Sequence, residues 1–167
     1  MKATVRIARR LLGEIEADLD RPHRFAKERL GFVLARWARA GTDLIVMPFQ
    51  YLPIADDNYI EDAWVGAKMN GTAIRSALQA TLDHQAACLH VHAHHPVMPF
   101  FGDLDLAEQD KLMPSFLATV PNAPHGALLL HGTGAVARLW PAAGAPPIYA
   151  DRVAVVGFPM RFSWRSS

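Results

Sequence analysis

Residues 88–105 read CLHVHAHHPVMPFFGDLD. Four of the eight histidines in the chain, His90, His92, His94 and His95, fall within six residues here, and Asp103 and Asp105 close the stretch. Its first half is short and alternating, which predicts a strand. Its end, Asp105 followed by Glu108, has the spacing of a capping box and predicts the start of a helix. Side chains two apart on a strand share a face, so His90, His92 and His94 should point one way and His95 the other. The intervening HPVMPFF is long enough to turn the chain and bring Asp105 back towards the histidines. Two imidazoles and a carboxylate suit a tetrahedral zinc ion with one position left for water, the arrangement of catalytic zinc. Two plainer readings stand beside this one: partly exposed strand histidines with ordinary hydrogen bonds, and Asp105 as a simple helix cap.

Around this stretch lies a chain of 167 residues, long enough for one domain over 1–167 with a sizeable core. Half the residues are apolar (51%) and a fifth charged (20%), the balance of an ordinary globular protein. A net charge of +1 argues against nucleic acid or an anionic membrane surface as partner. No apolar run reaches the roughly 18 residues of a membrane span. The opening MKATVRIARRLLGEIEADLD carries charges through its middle, unlike a signal peptide. Cys88 is the single cysteine, so no disulfide forms within the chain, and a reducing cytoplasm is the expected setting.

In VRIARRLLGEIEADL, Ile7, Leu11, Leu12 and Ile15 fall near helical spacing and predict a first helix. GFVLARWARA and LIVMPFQYLP predict two strands joined by a turn at GTD, residues 41–43. Residues 54–71 are irregular. GTAIRSALQATLDHQ predicts a helix whose buried face is Ile74, Leu78 and Leu82. After the histidine strand, DLDLAEQDKLMPSFLATV predicts a further helix and GALLLHGTGAVARLW a second hairpin. AAGAPP reads as a loop and RVAVVGFPMRF as one last strand. The sum is an α+β fold, a curved mixed β-sheet flanked by helices.

The spacing His92-x-His94-x7-Gly102-x2-Asp105 resembles the His-x-His-x7-Ser-x2-Asp signature of JAMM zinc metalloproteases, the metal-binding branch of the JAB/MPN domain. That family adds an upstream glutamate, often in an E-x-x-G-apolar context, and KERLGFVLAR supplies Glu28 and Gly31. The resemblance implies a JAB/MPN-like (cytidine-deaminase-like) fold. It implies Zn²⁺ held by His92, His94 and Asp105, with Glu28 activating the water. It also implies hydrolysis of the peptide or isopeptide bond after the C-terminal tail of a ubiquitin-like protein, in bacteria within modifier-conjugation or antiphage defence systems. Conjugation enzymes are then further partners. The family's oxyanion-stabilising serine is replaced by Gly102, which removes a hydroxyl donor worth roughly 3–4 kcal/mol in the barrier.

The shifted register His90-x-His92-x7-Phe100-x2-Asp103 keeps the spacing but sets a phenylalanine at the serine position, so the glycine register is preferred. His90, Asp103 and Phe101 then become neighbours of the ion or of a groove. Trp64, Met69, Met98 and Phe100 are further candidates for that groove, or for plain core packing. Two other readings stay open. HVHAHH resembles the His-x-His-x-Asp-His of metallo-β-lactamase-like hydrolases, with His125 and His131 as further ligands. The chain could also be a metal-free MPN-like scaffold or interaction module.

Overall fold

The computed structural model describes residues 1–94, 98–157 and 161–164. His95 lies outside them, and with it its expected opposite orientation. Nine strands form one mixed sheet, β1 Ala3–Ala8, β2 Leu30–Ala40, β3 Asp43–Pro53, β4 Ala87–Ala93, β5 His125–His131, β6 Gly134–Trp140, β7 Ile148–Tyr149, β8 Arg152–Val156 and β9 Arg161–Trp164. Three helices flank it, α1 Arg9–Leu19, α2 Gly71–Asp83 and α3 Asp103–Thr119. The strand order is β7-β6-β5-β4-β2-β3-β1-β8-β9. β1 runs parallel to β3 and β8, and β4 parallel to β5; the other pairs are antiparallel. The sheet curls, and β8 and β9 at one end approach β6 near the other. The α+β expectation with a curved mixed sheet and flanking helices holds.

Strand alternation divides the core. Ala87, Leu89 and Val91 of β4 join Val5, Ile7, Leu11 and Ile15 on the α1 side. Cys88 joins Phe32, Leu34, Met113 and Phe116 under α2 and α3. His90 and His92 share the parity of Cys88, so they face the α2 and α3 layer, and β4 pairs His90 with Phe32 and His92 with Leu30. The rings of Phe32 and Phe116 lie 5.6 Å apart at the centre of that layer.

Several expectations change. Residues 3–8 are a strand rather than the start of the first helix, and Ala3, Val5 and Ile7 are buried between β3 and β8. Ile7 satisfies both periods, and the strand neighbours decide in favour of the period of two. The second helix forms as expected but buries Ala73, Ala77 and Thr81, one position away from the predicted stripe; Leu82 is 46% exposed. Small side chains let this helix lie close to the sheet. The final segment is two antiparallel strands, β8 and β9, because Gly157 takes a φ of +143° that only glycine adopts at ease. Helix α3 starts at Asp103, so Gly102, not Asp105, is the residue before its first turn.

Gly31 has a clear steric cause. A Cβ there would run into the ring of Tyr51 on β3, whose hydroxyl donates to Asp18 at the end of α1. The glycine thus lets β2 lie flat beneath that ring just beyond Glu28.

Candidate metal centre

Helix α3 and strand β4 bring three side chains together. His92 Nε2 and His94 Nε2 are 3.2 Å apart, His94 Nε2 is 3.2 Å from Asp105 Oδ2, and His92 Nε2 is 3.5 Å from Asp105 Oδ1. Ligand atoms roughly 2.0–2.1 Å from a tetrahedral ion stand about 3.3 Å from one another. The three contacts are close to that spacing, with each imidazole facing a different oxygen of the Asp105 carboxylate. His92 and His94 are buried, at 2% and 6% exposure, while Asp105 is half-buried. This selects the glycine register over the shifted one, since Asp103 is exposed on the first turn of α3.

The cap and the ligand readings of Asp105 turn out to be compatible. The Gly102 N–H donates to Asp105 Oδ2 at 2.8 Å, which fixes the carboxylate at the third position of the helix. The expected partner in a capping box, Glu108, instead pairs with Lys111 on the exposed side at 2.6 Å. Asp103 and Asp105 both sit in the first turn, where the helix dipole favours negative charge. Burial works against the Asp105 carboxylate. The His92 hydrogen bond and charge, the Gly102 N–H and the His94 charge outweigh it and draw its pKa down to about 2. Among the described residues, its ion-pair partners are the two imidazoles.

As core packing this cluster is poor. Two buried imidazoles face each other nitrogen to nitrogen, and both outer Nδ1 atoms are buried with no hydrogen-bond partner among the described residues. Orphaned buried polar atoms of this kind cost roughly 1–3 kcal/mol each. The donor set fits a cation: two imidazoles and a carboxylate, with one ligand atom from each converging within 4.8 Å. Imidazole and carboxylate together are a donor set of the kind that holds a divalent transition-metal ion.

A cavity of about 300 Å³ opens against the cluster, lined by Glu28, His90, His92, Asp105 and Gln109 among others. Glu28 stands in the segment leading into β2, two residues before Leu30, which pairs with His92. Its neighbours pin that segment. The Lys27 and Glu28 N–H groups reach Gly66 O at 2.7 and 3.3 Å. Leu30 N–H donates to the Tyr59 hydroxyl at 2.8 Å. The Arg29 guanidinium is buried, with Nε on Arg21 O at 2.8 Å and Nη2 on Asp56 at 2.8 Å. Glu28 is thus half-buried on the cavity wall rather than a solvated charge between two cations, but it is not one of the three converging donors.

His90 lies on the same wall, its Nε2 buried without a partner; burial, then the charge of His92, push its pKa down to about 3. Phe101 is core, packed on Ala127 and Leu129 with its ring 6.0 Å from that of His92. Of the groove candidates, Met69 lines the cavity and Trp64 is 94% exposed. Met98 and Phe100 are exposed on the connection into α3. His125 accepts from Cys88 N–H and donates to Val120 O, both nitrogens spent away from the cluster, which removes it as a ligand for the metallo-β-lactamase-like reading.

Against known proteins, no family model and no curated protein matches this chain. The geometry therefore carries the functional reading.

One cavity residue gave no signal in the sequence. Gln109, which the sequence analysis does not single out, is 2% exposed. Its position one turn after Asp105 was the available clue.

Proposed function

We propose that the protein is a zinc-dependent peptidase or isopeptidase of JAB/MPN-like fold that cuts the bond after the C-terminal tail of a ubiquitin-like protein. The observation that carries this reading is the convergence of His92, His94 and Asp105 within 4.8 Å, with Glu28 on the wall of the adjoining cavity. The motif resemblance at Glu28, His92, His94 and Asp105 supplies the substrate class. When bound, the ion supplies Lewis acidity and a coordinated water with a pKa near about 7. Glu28, on the cavity wall, would be the group that holds and hands on a proton there. The Gly102 N–H helps to hold Asp105 in place rather than serving the substrate, because it is engaged with Oδ2.

One observation favours a second reading, an interaction module that holds the ion without turnover: no hydroxyl stands at position 102. Cleavage of ubiquitin-like fusions, with and without chelator, separates the two. Turnover that chelator abolishes and zinc restores is expected. Glu28→Gln should keep its zinc and lose about 10²-fold or more in rate. Cleavage indifferent to chelator, or full activity in Glu28→Gln, contradicts the proposal.

A further inference from the structure

Gln109 is buried, lines the cavity, and leaves its Nε2 without a hydrogen-bond partner among the described residues. Its orientation is set from behind. Arg138 Nη1 lies 3.3 Å from Gln109 Oε1, and a guanidinium only donates, so the amide oxygen faces Arg138 and the NH₂ faces away. Arg138 is itself held by Asp110 at 2.9 Å and by the Trp140 ring at 4.4 Å. An orphaned buried donor costs free energy, and such a cost is commonly retained where function uses the group.

The sheet register places this donor relative to the metal cluster. Arg138 pairs with Ala127, which pairs with His90; His92 pairs with Leu129 in the adjacent row. Asp105 contacts His92, and Gln109, one turn later on α3, contacts Arg138 and lines the same cavity as His90. One helical turn of four residues advances about 6 Å, close to the roughly 6.6 Å spanned by two strand residues. His90 adds a second unpartnered nitrogen to the same wall.

The geometry points to a substrate subsite at Gln109, where its Nε2–H donates to the carbonyl oxygen two residues from the scissile bond of an extended peptide. Carbonyls two residues apart in an extended chain are separated by about 6.6 Å, the step between the two rows. The inference rests on the peptidase reading for the identity of the ligand, while its test does not use turnover.

Zinc-loaded full-length protein is titrated with N-acetyl-glycylglycine N-methylamide to the solubility limit of the peptide. The Gln109 side-chain NH₂ signals are followed by ¹⁵N NMR, assigned by their absence in Gln109→Leu. They are expected to shift, and stationary signals overturn the subsite. Thermal unfolding of Gln109→Leu is the second readout. A midpoint equal to or above that of the parent is expected, because an orphaned donor is removed; a clear fall would make Gln109 a structural residue and overturn the subsite. Zinc content should be unchanged, and its loss would also overturn it. On a cleaved fusion, KM should rise roughly fivefold to tenfold with kcat held. Absence of cleavage by the parent protein bears on the peptidase reading alone.

Discussion

At the scale of single residues, the cluster depends on what Gly102 and Asp105 do together. The position of a Cβ at Gly102 lies 3.5 Å from Asp105 Oδ2, an ordinary contact, and its φ of −72° suits any residue. Gly102→Ser should therefore fold with stability within about 0.5 kcal/mol of the parent. If hydrolysis is the activity, the added hydroxyl should speed it by roughly 10²-fold, the reverse of deleting an oxyanion donor. Denaturant titration and steady-state rates check both halves. Spacing narrowed the ligands to two registers, and the resemblance at position 102 preferred His92, His94 and Asp105. Gln109 was not legible in this way, since its place beside Arg138 and on the cavity wall is a tertiary fact.

At the scale of elements, local period foresaw the existence of most strands and helices better than the faces they bury. Helix α2 shows why. Hydrophobicity ranked Ile74, Leu78 and Leu82 as its buried stripe, whereas close packing on the sheet selects Ala73, Ala77 and Thr81. Thr81 spends its hydroxyl on Ala77 O at 2.7 Å, so a polar residue is tolerated there. Ala77→Leu should thus cost about 1–3 kcal/mol through overpacking. Leu82→Gln, on an exposed position, should stay within about 0.5 kcal/mol. Thermal unfolding of the two variants tests the face directly. Strand β1 was hidden for a different reason: its six residues adjoin a helix without a break, and Ile7 fits both patterns.

At the scale of the whole molecule, one sheet holds the metal cluster on its α2 and α3 side and a continuous apolar core on the other. His125 ties β5 to the amide of Cys88 on β4 and to Val120 beyond α3. Burial lowers its pKa to about 4, against an ordinary value of about 6.5. The sign follows from the neutral form being favoured in the fold. Above pH 6.5 both states are neutral and the contribution is complete; as pH falls towards 4 the unfolded chain takes up the proton first and stability declines. The loss over that window is on the order of 3 kcal/mol. His125→Asn keeps an acceptor for the Cys88 amide without titrating, so its urea midpoints should be lower at neutral pH yet flatter between pH 6.5 and 4. Among the described residues, no helix is long and apolar enough to cross a membrane. What the whole arrangement stands on is the claim that His92, His94 and Asp105 hold an ion. Elemental analysis of the purified protein, beside His92→Ala and Asp105→Ala, measures this without reference to any substrate. Close to one zinc per chain is expected in the parent and nearly none in either variant; a folded parent without stoichiometric metal, or variants that retain it, would contradict the metal site.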